Sequence, residues 1–162
     1  MEPTASAAYR FGDVLALARR SWTLQMEREV EARGFPDYRI SDAGAVRLLM
    51  RGPTPVGRLG YVLGVTRQAA RKVVQGLEQR GLATTEPDPD DARKLNVRLT
   101  NSGRHYGRVL TSVIEQLNRD LANRVPPDVL AAADVALRAA VDDQRLARTV
   151  AQIPPPPPPP PA

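Results

Sequence analysis

The chain has 162 residues, with 23 Lys and Arg against 18 Asp and Glu and a formal net charge of +5. It contains no Cys and one His, which excludes disulfides, thiolate metal sites, a cysteine peroxide sensor and a histidine-built metal cluster. No apolar run approaches the roughly 20 residues of a membrane span and no signal peptide is visible, so the expectation is one cytoplasmic domain with extensions and no membrane contact.

Residues 1–7 read as a flexible N-terminus. From Ala8 to about Arg33, Phe11, Leu15, Ala18, Trp22, Met26 and Val30 fall near one stripe, and Gly34-Phe35-Pro36 ends that helix. Ser41 or Asp42 can cap a second helix, with Ala43, Val46, Leu49 and Met50 inward and Gly52-Pro53 closing it. Pro55 suits the first turn of a third helix, which buries Val56, Leu59 and Leu63.

Residues 65–104 carry the most information. Thr66 can cap a helix, its hydroxyl accepting from the backbone N–H of Gln68 or Ala69. Ala70, Val73, Val74 and Leu77 recur at helical spacing and make one apolar face. Arg67, Gln68, Arg71, Lys72 and Gln75 fall on the other side, which has no acid before Glu78, and Gly81 suits a left-handed cap after the last turn. An ordinary amphipathic helix with a solvated basic face is one reading. The other is a recognition helix: Arg can bridge guanine O6 and N7, and Gln can bridge adenine N6 and N7, so Arg67, Gln68 and Arg71 are the candidate base readers.

Leu82 to Glu86 can form a strand, Pro87-Asp88-Pro89-Asp90-Asp91 turns the chain, and Leu95, Val97 and Leu99 alternate with Asn96 and Arg98 as in a half-buried strand. The hairpin tip projects Arg93 and Lys94. Beside a recognition helix, such a wing can place an Arg in the adjacent minor groove. Acids at a tip repel phosphate, so Asp88, Asp90 and Asp91 need another role; Asp91 can pair with Arg93 and fix its direction. A solvated polar hairpin is the alternative.

After the wing, Thr100 caps a long helix whose stripe is Tyr106, Leu110, Val113, Ile114, Leu117 and Leu121, with His105 on its surface. Pro126-Pro127 breaks it and starts a last helix with Leu130, Ala133, Leu137, Ala140 and Val141 on one face. Eight consecutive prolines, Pro154 to Pro161, allow neither helix nor sheet ladder and predict a polyproline II end. Charge is unevenly spread. Residues 58–108 hold ten basic and five acidic side chains, the balance expected where phosphate is contacted.

The motifs LGVTRQAARKVVQGLEQRGL at 63–82, DPDDAR at 88–93, and Leu99-Thr100 with Gly103 resemble those of the MarR family of bacterial transcription regulators. The specific motifs lie in 55–104, and the pattern extends from about residue 8 to 150. The resemblance implies a mainly α fold with a small β-wing: a winged helix-turn-helix flanked by N- and C-terminal dimerisation helices. It implies that Asp91 and Arg93 are the wing's supporting Asp and minor-groove Arg. The sequence departs from the family at Thr85 and Glu86, where many relatives are basic, and at Gly60, where Ala is more usual and Gly should weaken the helix by up to ~1 kcal/mol.

The expected layout is a flexible arm at 1–7, a dimerisation helix and loop at 8–40, the DNA-binding domain at 41–103, dimerisation helices at 104–151 and a disordered polyproline tail at 152–162. The outer helices carry longer apolar stripes than a winged helix core needs. One monomeric bundle would absorb them; a homodimer would as well, and two-fold symmetry lets two heads meet half-sites about 34–36 Å apart on a pseudo-palindromic duplex. Expected DNA contacts are Thr66, Arg67, Gln68, Arg71, Lys72 and Gln75 in the major groove and Asp91, Arg93 and Lys94 on the wing. The family often binds a small phenolic or aromatic molecule, for which Trp22, Met26, Phe35 and Tyr38 are the candidate lining, although such residues at helical spacing are more often core.

The function implied is a dimeric, sequence-specific regulator, a repressor relieved by a small ligand, with no cofactor and no metal. The alternative is a winged-helix protein used for nonspecific DNA binding or protein contact. An enzyme is not expected: the sequence has no nucleophile–base pair and no Gly-rich phosphate loop.

Overall fold

The computed structural model describes residues 10–91 and 93–153. The expected N-terminal arm and the proline run at 154–161 lie outside the described residues. The chain divides between Ile40 and Ser41 into two compact units.

The first unit holds α1 (Phe11–Glu31). Gly34 and Phe35 close it as expected, their N–H groups donating to the carbonyls of Glu31 and Val30. Only the lower end of the anticipated stripe is buried, at Met26 and Val30; Val14, Leu15 and Leu17 are exposed.

The second unit holds α2 (Ile40–Leu49) from Ser41 onward, followed by β1 (Thr54–Pro55), α3 (Val56–Leu63) and α4 (Arg67–Gln79). Then come β2 (Ala83–Pro87), β3 (Leu95–Leu99), α5 (Asn101–Ala122), α6 (Pro127–Ala139) and α7 (Gln144–Val150). The strands form an antiparallel sheet in the order β1-β3-β2. Val97 of β3 faces Thr54 on one side and Thr85 on the other, and is fully buried. The core beneath the sheet and helices includes Leu59, Ala70, Val74, Leu77, Leu82, Leu99, Tyr106, Leu110 and Val113.

Several local expectations need correction. Because α2 starts at Ile40, neither Ser41 nor Asp42 caps it; Asp42 is 1% exposed and belongs to the interior. Met50 is largely exposed rather than inward, while Ala45 is fully buried. Pro55 sits in β1 and as the residue before α3, not inside its first turn. The last helix divides: α6 ends at Ala139, and Asp143 caps a separate α7 by accepting from the N–H groups of Arg145 and Leu146. The ordered chain also runs two residues into the expected tail, since Gln152 and Ile153 close turns on Thr149 and Val150.

Two glycines explain themselves by close approach. A Cβ on Gly103 would lie 1.8 Å from the Leu82 carbonyl oxygen, so α5 can pass the end of α4 only with glycine there. A Cβ on Gly60 would meet Ala70 Cβ and the Val65 carbonyl, both at 3.3 Å. The weak helix former therefore brings α3 close to α4, a gain that the propensity argument alone omits.

Candidate nucleic-acid interface

The end of α4 is held by a buried polar cluster. Asp42 of α2 accepts from Arg80 Nη1 at 2.8 Å and Nη2 at 3.0 Å, a bidentate pair, and from the Tyr106 hydroxyl of α5 at 2.8 Å. Both carboxylate oxygens are thus used, as a buried charge requires. The Arg80 guanidinium also lies 6.0 Å from the Tyr106 ring centre. Burial, and then the neighbouring Asp42 charge, push the Tyr106 hydroxyl well above its ordinary pKa. The cluster ties α2, the end of α4 and α5 together. The sequence pattern puts Tyr106 in an apolar stripe and Asp42 at a cap, and partners 38 and 64 residues apart leave no local signal of the cluster.

On this base α4 divides as expected. The Thr66 hydroxyl accepts from Ala69 N–H at 3.1 Å and caps the helix. Ala70, Val74 and Leu77 are buried, whereas Thr66, Arg67, Gln68, Arg71, Lys72 and Gln75 are exposed. Gly81 takes φ +68 after the last turn, the left-handed conformation anticipated.

The wing is organised by its acids. Asp88 Oδ1 accepts from the N–H groups of Asp90 and Asp91, and its Oδ2 accepts from Asn96 Nδ2 at 2.7 Å. The Asn96 bond, with the backbone donors behind it, holds the Asp88 carboxyl below the usual range. Asp91 Oδ1 accepts from both the backbone N–H of Arg93 at 3.2 Å and its Nε at 3.1 Å, and Lys94 Nζ lies 3.6 Å from Oδ2. Arg93 itself is 91% exposed. The carboxylate therefore aims an otherwise free side chain outward from the tip. Thr85 and Glu86, the departures from the family pattern, are both engaged: Thr85 donates to Glu78 of α4, and Glu86 pairs with Arg98 across the strands.

Between helix and wing runs a groove of about 390 Å³ lined by Val56, Arg71, Val74, Gln75, Glu78, Thr85 and Leu95. It makes the exposed face of α4 and the wing one continuous surface. The residues proposed for a ligand lie elsewhere, in the first unit. Met26 is fully buried, and Trp22, Phe35 and Tyr38 are half-buried. A concavity beside α1 is lined instead by Ala16, Arg19, Arg20, Thr23 and Ile40. No helix among the described residues is long and apolar enough to cross a membrane.

A capped helix with a basic outer face, followed by a two-stranded wing against a third short strand, defines a winged helix-turn-helix protein. The MarR family model matches residues 39–94, which run from the start of α2 to the wing tip. Solved structures share the fold. PcaV, a transcriptional regulator from Streptomyces coelicolor solved with its natural ligand, superposes with a TM-score of 0.71 at 20% identity, over 86% of this chain and 97% of that one. A MarR family transcription regulator gives 0.68 at 18% identity, over 81% of this chain and 85% of that one. The transcriptional regulator BldR from Sulfolobus solfataricus gives 0.61 at 19% identity, covering 80% and 94%. No curated protein sequence matches the chain. The chain shares the fold of these transcription regulators.

Proposed function

We propose that the protein is a homodimeric, sequence-specific DNA-binding repressor whose grip is released by a small aromatic ligand. The observation that carries the reading is the pairing of a basic helix face, with no acid before Glu78, with an Arg held outward by Asp91 on the adjoining wing. Arg67, Gln68 and Arg71 would read base edges, Thr66, Lys72 and Gln75 would fix the helix on the backbone, and Arg93 would enter the minor groove with Lys94 beside it.

Dimerisation is supported by apolar side chains left exposed among the described residues. On α1 these are Val14, Leu17 and Leu24; on α6 they are Val129, Val135 and Leu137. Patches of this kind mark interfaces. A second copy would cover them and set two reading heads at a fixed spacing. A ligand would act by favouring dimers whose heads no longer match that spacing. Trp22, Met26, Phe35 and Tyr38 would supply the aromatic contacts, and PcaV offers the parallel of a relative of the same fold solved with its natural ligand.

The test is competition between a selected duplex and a scrambled one as salt rises from about 50 to about 300 mM. Retained preference for the selected duplex supports the reading. Simultaneous loss of both duplexes would leave nonspecific binding or protein contact in its place.

A further inference from the structure

The C-terminal helix α7 has no part in the reading above, yet it is fastened to the helix-turn-helix. The Thr149 hydroxyl donates to the Val62 carbonyl of α3 at 2.8 Å. Gly64, in the turn between α3 and α4, has φ +67 and lies so close that an added Cβ would sit 3.0 Å from the Arg145 carbonyl and 3.1 Å from the Thr149 hydroxyl. From the other side, the Arg138 guanidinium of α6 donates to the carbonyls of Val150 and Ile153 at 3.0 and 3.1 Å. Arg138 is in turn held by Asp134 at 2.6 Å.

This docking brings two arginines to the turn that leads into the recognition helix. Arg145 and Arg148 line a concavity of about 110 Å³ whose other walls are Gly60, Tyr61, Gly64 and Val65. The Arg148 guanidinium lies 5.0 Å from the centre of the exposed Tyr61 ring, which orients it without neutralising it. Both arginines are exposed, and neither forms an ion pair among the described residues. The nearest acid along the chain, Asp143, spends its hydrogen bonds on capping α7, and its charge is felt by both arginines without a direct ion pair. Val65 immediately precedes Thr66, the cap of α4, so the concavity continues the surface that carries the base readers.

We infer that Arg145 and Arg148 of α7, together with Tyr61, seat a phosphate of the DNA backbone beside the recognition helix. Arg148 Nε donates to the Gln144 carbonyl at 3.2 Å, which leaves its two terminal nitrogens for an anion. Guanidiniums without an ion pair match phosphate geometry, and their charge is complementary to the duplex already assigned to α4. The inference rests on the proposed DNA-binding function. It adds a third contact region, supplied by a helix outside the segment matched by the family model.

The test compares the full chain with R145Q/R148Q and R145K/R148K, using fluorescence anisotropy on a selected duplex and on a scrambled duplex across a salt series. Each phosphate contact contributes about 0.9 to the slope of log K against log salt, so the Gln pair, which loses one, should lower the slope by about 0.9 per bound protomer. Affinity for both duplexes should fall by the same factor, because phosphates carry no sequence information. The Lys pair should restore most of the slope, since charge is what it reports. A wild-type slope in the Gln pair overturns the inference and leaves the α4 reading intact. Equal loss in the Lys and Gln pairs also overturns it, in favour of a purely structural helix. Failure of the wild-type chain to bind either duplex would instead refute the DNA-binding reading itself. Inorganic phosphate, added at constant ionic strength, should compete no better than chloride if the seat is built for backbone rather than for a free anion.

Discussion

Removing Asp42 is the sharpest structural perturbation available. In Asp42→Ala, Arg80 loses two charge-assisted bonds and the Tyr106 hydroxyl loses its acceptor. Breaking a buried pair from one side costs about 3–5 kcal/mol, because the remaining charge stays behind without compensation. The Arg80 side chain retains 15% exposure, so water reaches part of it and the low end of that range applies. A loss of about 3 kcal/mol is a large share of the 5–15 kcal/mol typical of a domain, and should lower the thermal midpoint by about 6–12 °C. Urea unfolding followed by circular dichroism measures it. The double variant with Arg80→Ala should cost much less than the sum of the two singles, since each removes the same interaction. A single-variant loss below about 1 kcal/mol, or additive costs, would refute the claim that this cluster braces the reading helix.

Other outcomes follow from the same structure. Arg93→Ala should weaken operator binding strongly and leave the thermal midpoint unchanged, since the side chain is 91% exposed and bonded only at the tip; anisotropy and a melting curve read the two effects separately. Gln68→Ala or Arg71→Ala should cost about 1–3 kcal/mol of operator affinity and relax preference at one base position, which a set of single-base duplex variants would detect. Alkaline stability should report Tyr106. Its hydroxyl is held above the ordinary value in the folded chain, so its contribution is complete below about pH 10 and is lost as pH rises beyond that, by up to about 1.4 kcal/mol per pH unit. Tyr106→Phe should flatten that decline, and urea midpoints taken from about pH 9 to about pH 12 would show it.

The parts of this fold that could be read from sequence are those whose causes are local. The Thr66 cap, the apolar spacing of Ala70, Val74 and Leu77, and Gly81 after the last turn all act within a few residues, and each stands as expected. The Asp91–Arg93 pair belongs to the same class, with its partners two residues apart. What escaped depends on distant chain. Asp42 resembled a helix cap because its partners lie far along the sequence, and Tyr106 looked apolar because its ring is indeed buried. A two-residue strand at Thr54–Pro55 is too short for a periodic signal and exists only because β3 lies beside it. Helix α7 is seven residues long and owes its position to Thr149, Arg138 and the space above Gly64, none of which is a pattern in sequence. At Gly60 helix propensity is outweighed by the close approach of Ala70.

The central claim is that this chain reads a specific duplex as a pair. Selection of bound genome fragments at about 150 mM salt, where exposed charges are screened beyond about 8 Å, tests it directly. The account predicts a near-palindromic site with half-sites about 34–36 Å apart, one helical turn. Recovery of no enriched sequence from folded protein would contradict it.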